Sequence, residues 1–158
     1  MQLAPKGPGQ FELKSRDLTV RLNDRVTIND FTVPGPGEYE IGGLMVPQSD
    51  LITRIEVEDL VLGLLAPGVT GLTDREFEQI GAIDVLFFHI GDGTDLSPKH
   101  VHTLLAQVEA PLVIPIPAGE TDVMAYCTKD MRCETVTSPF KLTRSQLPID
   151  GSQVIVFN

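Results

Sequence analysis

Three short apolar runs, separated by two helix patterns, constrain the fold of this chain more than any other feature. The runs cover residues 60–65, 84–90 and 112–116, and each is typical of a strand buried on both faces. The order strand, helix, strand, helix, strand favours right-handed βαβ crossovers within a parallel or mixed sheet. The sequence therefore predicts an α/β architecture with helices on at least one side of a sheet.

Both helices between these runs have well-marked ends. Thr73 and Glu76 have the spacing of a capping box, and Gly81 stands where the first helix should stop. Ser97 is a capping residue for the second helix, with Pro98 at its first position. These signals place one helix before each of the last two apolar runs.

The first third of the chain alternates apolar and polar residues over short stretches that turn residues separate. This pattern predicts an antiparallel meander that leads into a corner rich in Pro and Gly at residues 34–43. The predicted strands are residues 10–14, 18–23, 26–28, 31–33, 38–41, 44–46 and 51–57. In the corner, Glu38 and Glu40 share one face of a strand, as either a carboxylate pair or an exposed sheet face.

The last third of the chain carries weaker signals. A helix is predicted over residues 121–130, a strand over 134–136, a helical turn over 143–147 and a terminal strand over 153–157. The length of 158 residues suits one domain, 1–158.

Composition limits the classes of partner. The formal net charge is −10 and no run of Lys and Arg occurs, so we expect no nucleic-acid partner. No apolar run reaches the length of about 18 residues that a membrane span needs, and residues 1–10 lack the apolar core of a signal peptide. We therefore expect a soluble, cytoplasmic protein with no membrane partner.

The two cysteines, Cys127 and Cys133, are six residues apart and do not form a CxxC motif. This spacing supports neither a Cys-rich zinc site nor a disulfide framework. We expect two reduced, structural thiols.

Histidine is the residue type that most often signals metal or acid-base chemistry, and the chain has three. His100 and His102 lie two apart on a predicted helix and so point about 200° apart, which prevents them from chelating one ion. His89 ends a predicted strand before a loop with Asp92 and Asp95, where it could join a divalent cation site or act as a base. A plain loop with an Asx turn explains the same residues.

Four stretches, in order along the chain, carry a resemblance to a known family: residues 35–43 (GPGEYEIGG), 72–88, 111–117 (PLVIPIP), and 141–148 followed by 154–156. They resemble the metallo-β-lactamase-fold proteins, and within them the small bacterial group of Zn-dependent hydrolases similar to L-ascorbate-6-phosphate lactonase. The resemblance implies an αββα sandwich and a hydrolytic site in which zinc or manganese activates a water molecule.

The chain departs from that family at its metal ligands. It has no HxHxDH motif, Ala66 and Pro67 stand where the resemblance implies a Gly-Asp turn, and Pro117 stands where it implies a final His. Proline has no side-chain donor atom, and a catalytic zinc needs about three protein ligands.

The resemblance therefore suggests a truncated, metal-free pseudoenzyme without a cofactor. Its expected role is binding or structural, through a homodimer or a protein partner. The alternative is a zinc- or manganese-dependent hydrolase whose site is rearranged around His89, Asp92 and Asp95 or is completed by a partner subunit.

Overall fold

The computed structural model of the protein describes residues 1–91 and 93–158. It contains two β-sheets that pack face to face, with both α-helices on the outer face of one sheet. The early strands are β1 (Gln2–Gly7), β2 (Gln10–Ser15), β3 (Leu18–Leu22), β4 (Val26–Ile28), β5 (Phe31–Thr32), β6 (Gly37–Ile41), β7 (Leu44–Gln48), β8 (Ile52–Val57) and β9 (Leu60–Leu65). The later elements are α1 (Asp74–Ile80), β10 (Val85–Gly91), α2 (Pro98–Val108), β11 (Leu112–Ala118), β12 (Arg132–Val136), β13 (Phe140–Lys141) and β14 (Gln153–Phe157).

The six-stranded sheet has the order β13-β1-β2-β3-β4-β5, with every neighbouring pair antiparallel. The predicted meander over β2 to β5 is confirmed. Strand β1 is not predicted from the sequence, because its Pro and Gly residues are typical of a loop. It pairs with β2 through an irregularity in register between Pro5 and Gly7, which accommodates those residues.

The eight-stranded sheet has the order β12-β14-β11-β10-β9-β8-β7-β6. Strands β6 to β9 pair antiparallel, whereas β9, β10, β11, β14 and β12 run parallel. Helix α1 connects β9 to β10 and helix α2 connects β10 to β11. The two βαβ units predicted from the apolar runs are therefore confirmed.

Strand β10 separates two hydrophobic cores. Val85 and Phe87 face the six-stranded sheet, and Leu86 and Phe88 face the helices. All four side chains are at most 1% exposed, which is why this strand has no polar alternation. From α2, the residues that complete the helix-side core are Val101, Leu104, Leu105 and Val108.

Among the described residues, the outer face of the six-stranded sheet carries charged side chains instead of the second helix layer that the αββα sandwich would have. Glu12 lies at its centre, 3.3 to 3.5 Å from the side-chain nitrogens of Lys6, Lys14 and Arg21. Burial raises the pKa of Glu12, but hydrogen bonds and attraction from Lys14 and Lys6 outweigh burial and hold the pKa below its usual range. This face is stable in water without a covering layer.

The predicted helix caps are present. The Glu76 amide donates to the Thr73 hydroxyl at 3.3 Å, and the Thr73 amide donates to the Glu76 carboxylate at 2.7 Å. The Thr73 backbone amide and then its hydroxyl lower the pKa of Glu76 by stabilising the charged form. Ser97 caps α2 by accepting a 3.3 Å hydrogen bond from the His100 amide.

The last third of the chain is less helical than its sequence predicts. A single 3₁₀ turn, Val123–Tyr126, replaces the helix predicted over residues 121–130. The Asp122 carboxylate accepts from the Met124 amide at 3.0 Å, and Cys127 already has an extended backbone, so the turn does not continue. The predicted turn over 143–147 is a second 3₁₀ turn, Arg144–Gln146, and the terminal strand is confirmed at Gln153–Phe157.

The prediction of two reduced thiols is wrong for this structure. Cys127 and Cys133 form a disulfide with their Cα atoms 6.2 Å apart, within the usual range for such bonds. The backbone reverses between the 3₁₀ turn and β12, because the Met131 amide donates to the Thr128 carbonyl at 3.0 Å. Sequence spacing alone does not reveal this reversal, which brings the two cysteines together.

The corner at residues 34–43 leads into the hairpin of β6 and β7 and contains its turn. The Tyr39 hydroxyl donates to the Gly35 carbonyl at 2.8 Å, which fixes the corner against β6. Glu38 and Glu40 both lie exposed on β6, which is the exposed sheet face that the sequence left as one alternative. Within the described residues, no helix is long and apolar enough to cross a membrane.

Candidate functional site at the ends of the parallel strands

The carboxyl ends of β9, β10 and β11 lie side by side, where α/β proteins commonly place their sites. Strands β10 and β11 pair along their whole length, from Val85 with Leu112 to Gly91 with Ala118. This edge carries the predicted site residues Pro67, His89, Asp95 and Pro117 on or just after the strands. Asp92 lies outside the described residues.

His89 is a buried histidine that joins the two sheets. It is 9% exposed and lies on the same side of β10 as Phe87. Its Nε2 atom is 3.0 Å from the carbonyl oxygen of Asn23, in the turn between β3 and β4. Because a carbonyl only accepts, Nε2 must carry the proton, and this nitrogen is then not free to bind a metal.

Asp95 is exposed, and its backbone carbonyl is 3.1 Å from Nδ1 of His100. Within residues 1–91 and 93–158, no ion pair or hydrogen bond joins Asp95 to His89, and no three His, Cys, Asp or Glu side chains are grouped closely enough to hold a metal ion. His100 and His102 are exposed on α2 while Val101 between them is buried, as the helix geometry predicts.

The prolines of β11 control its pairing with β14. Backbone hydrogen bonds along a strand point alternately to its two neighbours. The Leu112 amide donates to Asp84 on the β10 side, whereas the Pro111 carbonyl accepts from Gln153 on the β14 side. The odd-numbered residues of β11 therefore face β14.

This alternation puts Pro115 and Pro117 on the β14 side, where neither has an N–H to donate. The observed pairing between the strands accordingly covers Leu112 with Gln153 and Val113 with Val154. Beyond these pairs the ends of β11 and β14 separate. The Pro117 carbonyl instead accepts a 2.7 Å hydrogen bond from the Gly9 amide, in the turn between β1 and β2.

The loop after β11 closes over the end of β10. A Cβ atom on Gly91 would overlap the Thr121 side chain, so this loop can pack here only against a residue without a side chain. Gly91 also has a φ of +102°, which L-residues rarely adopt. Together with the contacts of Asn23 and Gly9, Thr121 covers the strand ends at three points.

Pro67 follows β9 in an exposed turn. The turn is held by the Ala66 amide, which donates to the Leu51 carbonyl at 2.8 Å, and by the Val69 amide, which donates to Ala66 at 3.3 Å. Pro67 thus ends a strand without contributing a donor atom to the edge.

A solved structure shares the whole of this architecture. It is the crystal structure, at 2.00 Å resolution, of a protein from Thermotoga maritima described as a candidate Zn-dependent hydrolase of the metallo-β-lactamase superfamily. The two structures match with a TM-score of 0.75 and 17% sequence identity over 100% of both chains. The chain has the metallo-β-lactamase-like fold. No protein-family model and no curated protein matches the sequence.

The metallo-β-lactamase-like fold that the sequence resemblance implies is thus confirmed, with one of the two helix layers of an αββα sandwich missing among the described residues. This fold raises the question of a zinc centre. Such a centre needs about three His, Asp, Glu or Cys ligands at the strand ends. Pro67 and Pro117 supply none, and Nε2 of His89 is held by Asn23. The described residues of this edge therefore do not fit the metal site that the resemblance implies.

Sequence reasoning missed the residues that cover this edge. Gly9 and Thr121 act through their positions in turns, and Asn23 reaches His89 across 66 residues of sequence. Only the Pro115 and Pro117 pair carries a signal in the sequence, because alternate prolines withhold hydrogen bonds from the same side of a strand.

Proposed function

We propose that this protein is a non-catalytic, metal-free relative of the metallo-β-lactamase-fold hydrolases, and that it acts by binding. The observation that carries the proposal is Pro117. It stands where the resemblance implies a metal-binding His, its nitrogen has no proton, and its carbonyl already accepts from Gly9. The residue at the position of the implied metal ligand therefore forms a hydrogen bond between the two sheets instead.

Two further contacts support the same proposal. His89 Nε2 donates to the Asn23 carbonyl, so the one histidine of this edge joins the sheets instead of facing a cleft. The Thr121 side chain lies against Gly91 at the end of β10. Hydrolysis at this edge would require a substrate and an activated water molecule to reach His89 and the end of β10. Asn23 and Thr121 already contact these positions.

Metal content tests the proposal directly. The purified protein is incubated with excess Zn²⁺ or Mn²⁺, desalted, and measured by elemental analysis and thermal unfolding. We expect less than about a tenth of an equivalent of either metal and no rise in melting temperature, because a metal that binds only the folded state would raise it. Lactone, phosphodiester and β-lactam substrates should remain intact.

The alternative hydrolase, with a site around His89, Asp92 and Asp95, predicts the opposite result. One equivalent of metal that is lost in Asp92→Asn and Asp95→Asn, but retained in the exposed-carboxylate control Asp74→Asn, would overturn the proposal. These aspartate variants are preferable to His89→Ala, since His89 joins the sheets and its loss would also affect folding. Sedimentation of the same samples tests the predicted homodimer.

A further inference from the structure

The separated ends of β11 and β14 border a cavity of about 130 Å³. Pro115 and Pro117 form one wall and Val156 of β14 forms another. Residues of the first sheet, of the 3₁₀ turn and of the chain after β14 line the remaining sides; among them are Pro5, Phe11, Val123 and the polar Asn158. The cavity is partly open to solvent. Among the described residues, no charged side chain lines this cavity.

The walls of the cavity are held in place by contacts outside it. The ring of Phe11 packs edge-to-face on Phe157, with centroids 5.1 Å apart. Pro117 is fixed by the hydrogen bond from Gly9, and the turn that carries Val123 is tied to β12 by the disulfide at Cys127. The cavity therefore belongs to the folded scaffold and does not depend on a mobile side chain.

We propose that this cavity is a binding site for a small, neutral, apolar molecule of about the size of benzene. The proposal rests on the binding role proposed above and gives that role a ligand class. The site would exist because the same prolines that remove the metal ligand and the strand pairing also leave an apolar gap.

Size, polarity and charge all favour this occupant. A cavity of about 150 Å³ lined by apolar side chains stays dry and takes up benzene, and this one is nearly as large. A trapped water needs two to four polar partners, whereas Asn158 is the one polar side chain among the described lining residues and Pro115 and Pro117 offer no N–H. The formal charge of −10 disfavours an anionic ligand at this site.

Titration of the full chain with benzene, followed by methyl NMR, tests the site. The methyl signals of Val123 and Val156 should shift in a saturable manner, while those of Ile28 in the first sheet should not move. At about tenfold the dissociation constant, benzene should raise the melting temperature by about 3 to 6 °C. Benzoate, which has the same ring with a charge, should cause neither change.

Two variants of the 3₁₀ turn serve as test and control, because both add the same phenyl ring at neighbouring residues. Val123→Phe fills the cavity and should abolish the Val156 shift. Met124→Phe adds the same ring at the next residue, which is 52% exposed and not part of the lining, and should leave binding unchanged. Val123→Ala enlarges the cavity and should shift its preference from benzene to p-xylene, so the test does not depend on one variant folding.

Several results would overturn the proposal. They are no saturable shift in the natural sequence, equal shifts in Val123→Phe, or equal binding of benzoate. A Val156 shift that follows protein concentration together with a doubled mass would show that a second copy occupies the cavity instead.

Metal analysis of the same samples separates the two proposals. Benzene binding in a protein that carries one equivalent of hydrolytically active metal would overturn the proposed function and leave the cavity proposal intact. Failure of benzene to bind in a metal-free, inactive protein would overturn only the cavity proposal.

Discussion

The two outer faces of the sandwich differ in how they are kept stable in water: helices cover one, and charged side chains line the other. On the eight-stranded sheet, Phe88 and Leu86 point outward and are buried by the helices. On the six-stranded sheet, the outward positions of β2 carry Glu12 and Lys14; Lys14 is exposed to water, and the half-exposed cations around Glu12 neutralise its charge, so no further layer covers them. A helix layer is therefore present where a strand is apolar on both faces, and it is absent where the strand alternates.

The largest expected loss of stability comes from truncating a buried side chain under the helices. Phe88→Ala should lower the free energy of unfolding by about 3 to 5 kcal/mol, because Phe88 is 1% exposed among the helix-side residues. Urea unfolding measures the change. Phe77→Ala, on α1 and 37% exposed, removes the same group as a control and should cost much less. Equal losses in the two variants would show that the helices do not seal this face.

The disulfide should have an intermediate effect on the covered side. Reducing Cys127 and Cys133 should lower the free energy of unfolding by about 2 kcal/mol, since the bond closes only a short loop. Thiol titration of the unfolded protein provides the check. We expect no free thiol before reduction and two thiols after it; two free thiols in the untreated protein would restore the original prediction of reduced cysteines.

The smallest loss of stability should come from a substitution on the outer face of the six-stranded sheet. Glu12→Gln should cost at most about 1 kcal/mol at pH 7, as expected for ion pairs that water reaches. Because the pKa of Glu12 is lowered in the folded state, the stability it contributes is present above its usual pKa and is lost as pH falls through the folded value.

The pH dependence of unfolding checks this assignment. The natural protein and Glu12→Gln should differ at neutral pH and become equal in stability in strong acid. Glu40→Gln removes the same charge from an exposed strand position without an ion pair among the described residues, so it should show little difference at either pH. A larger loss in Glu40→Gln would contradict the importance of the Glu12 cluster.

The outcome of sequence reasoning follows from the range of the interactions involved. Local patterns were enough for β10, whose apolar run requires burial on both faces, and for Thr73, whose capping box spans one turn. Strand β1 was missed because its Pro and Gly residues imitate a loop, although they pair with β2.

The candidate site could be predicted only in part. That Pro67 and Pro117 have no side-chain donor atom is readable from residue types alone. The contact between His89 and Asn23 joins residues that are 66 positions apart in the sequence, so no local pattern predicts it. The Cys127–Cys133 bond depends on a chain reversal that spacing does not encode.

The pairing of β1 with β13 has a consequence for how the protein is made. Gln2 and Leu3 pair with Lys141 and Phe140, so this edge of β1 lacks its partner until residues 140–141 have left the ribosome. At typical synthesis rates this interval is on the order of ten seconds. During that time the nascent meander presents an open strand edge, the kind of surface on which chains associate wrongly. Residues 140–141 thus cover this edge late in synthesis, at Gln2 and Leu3.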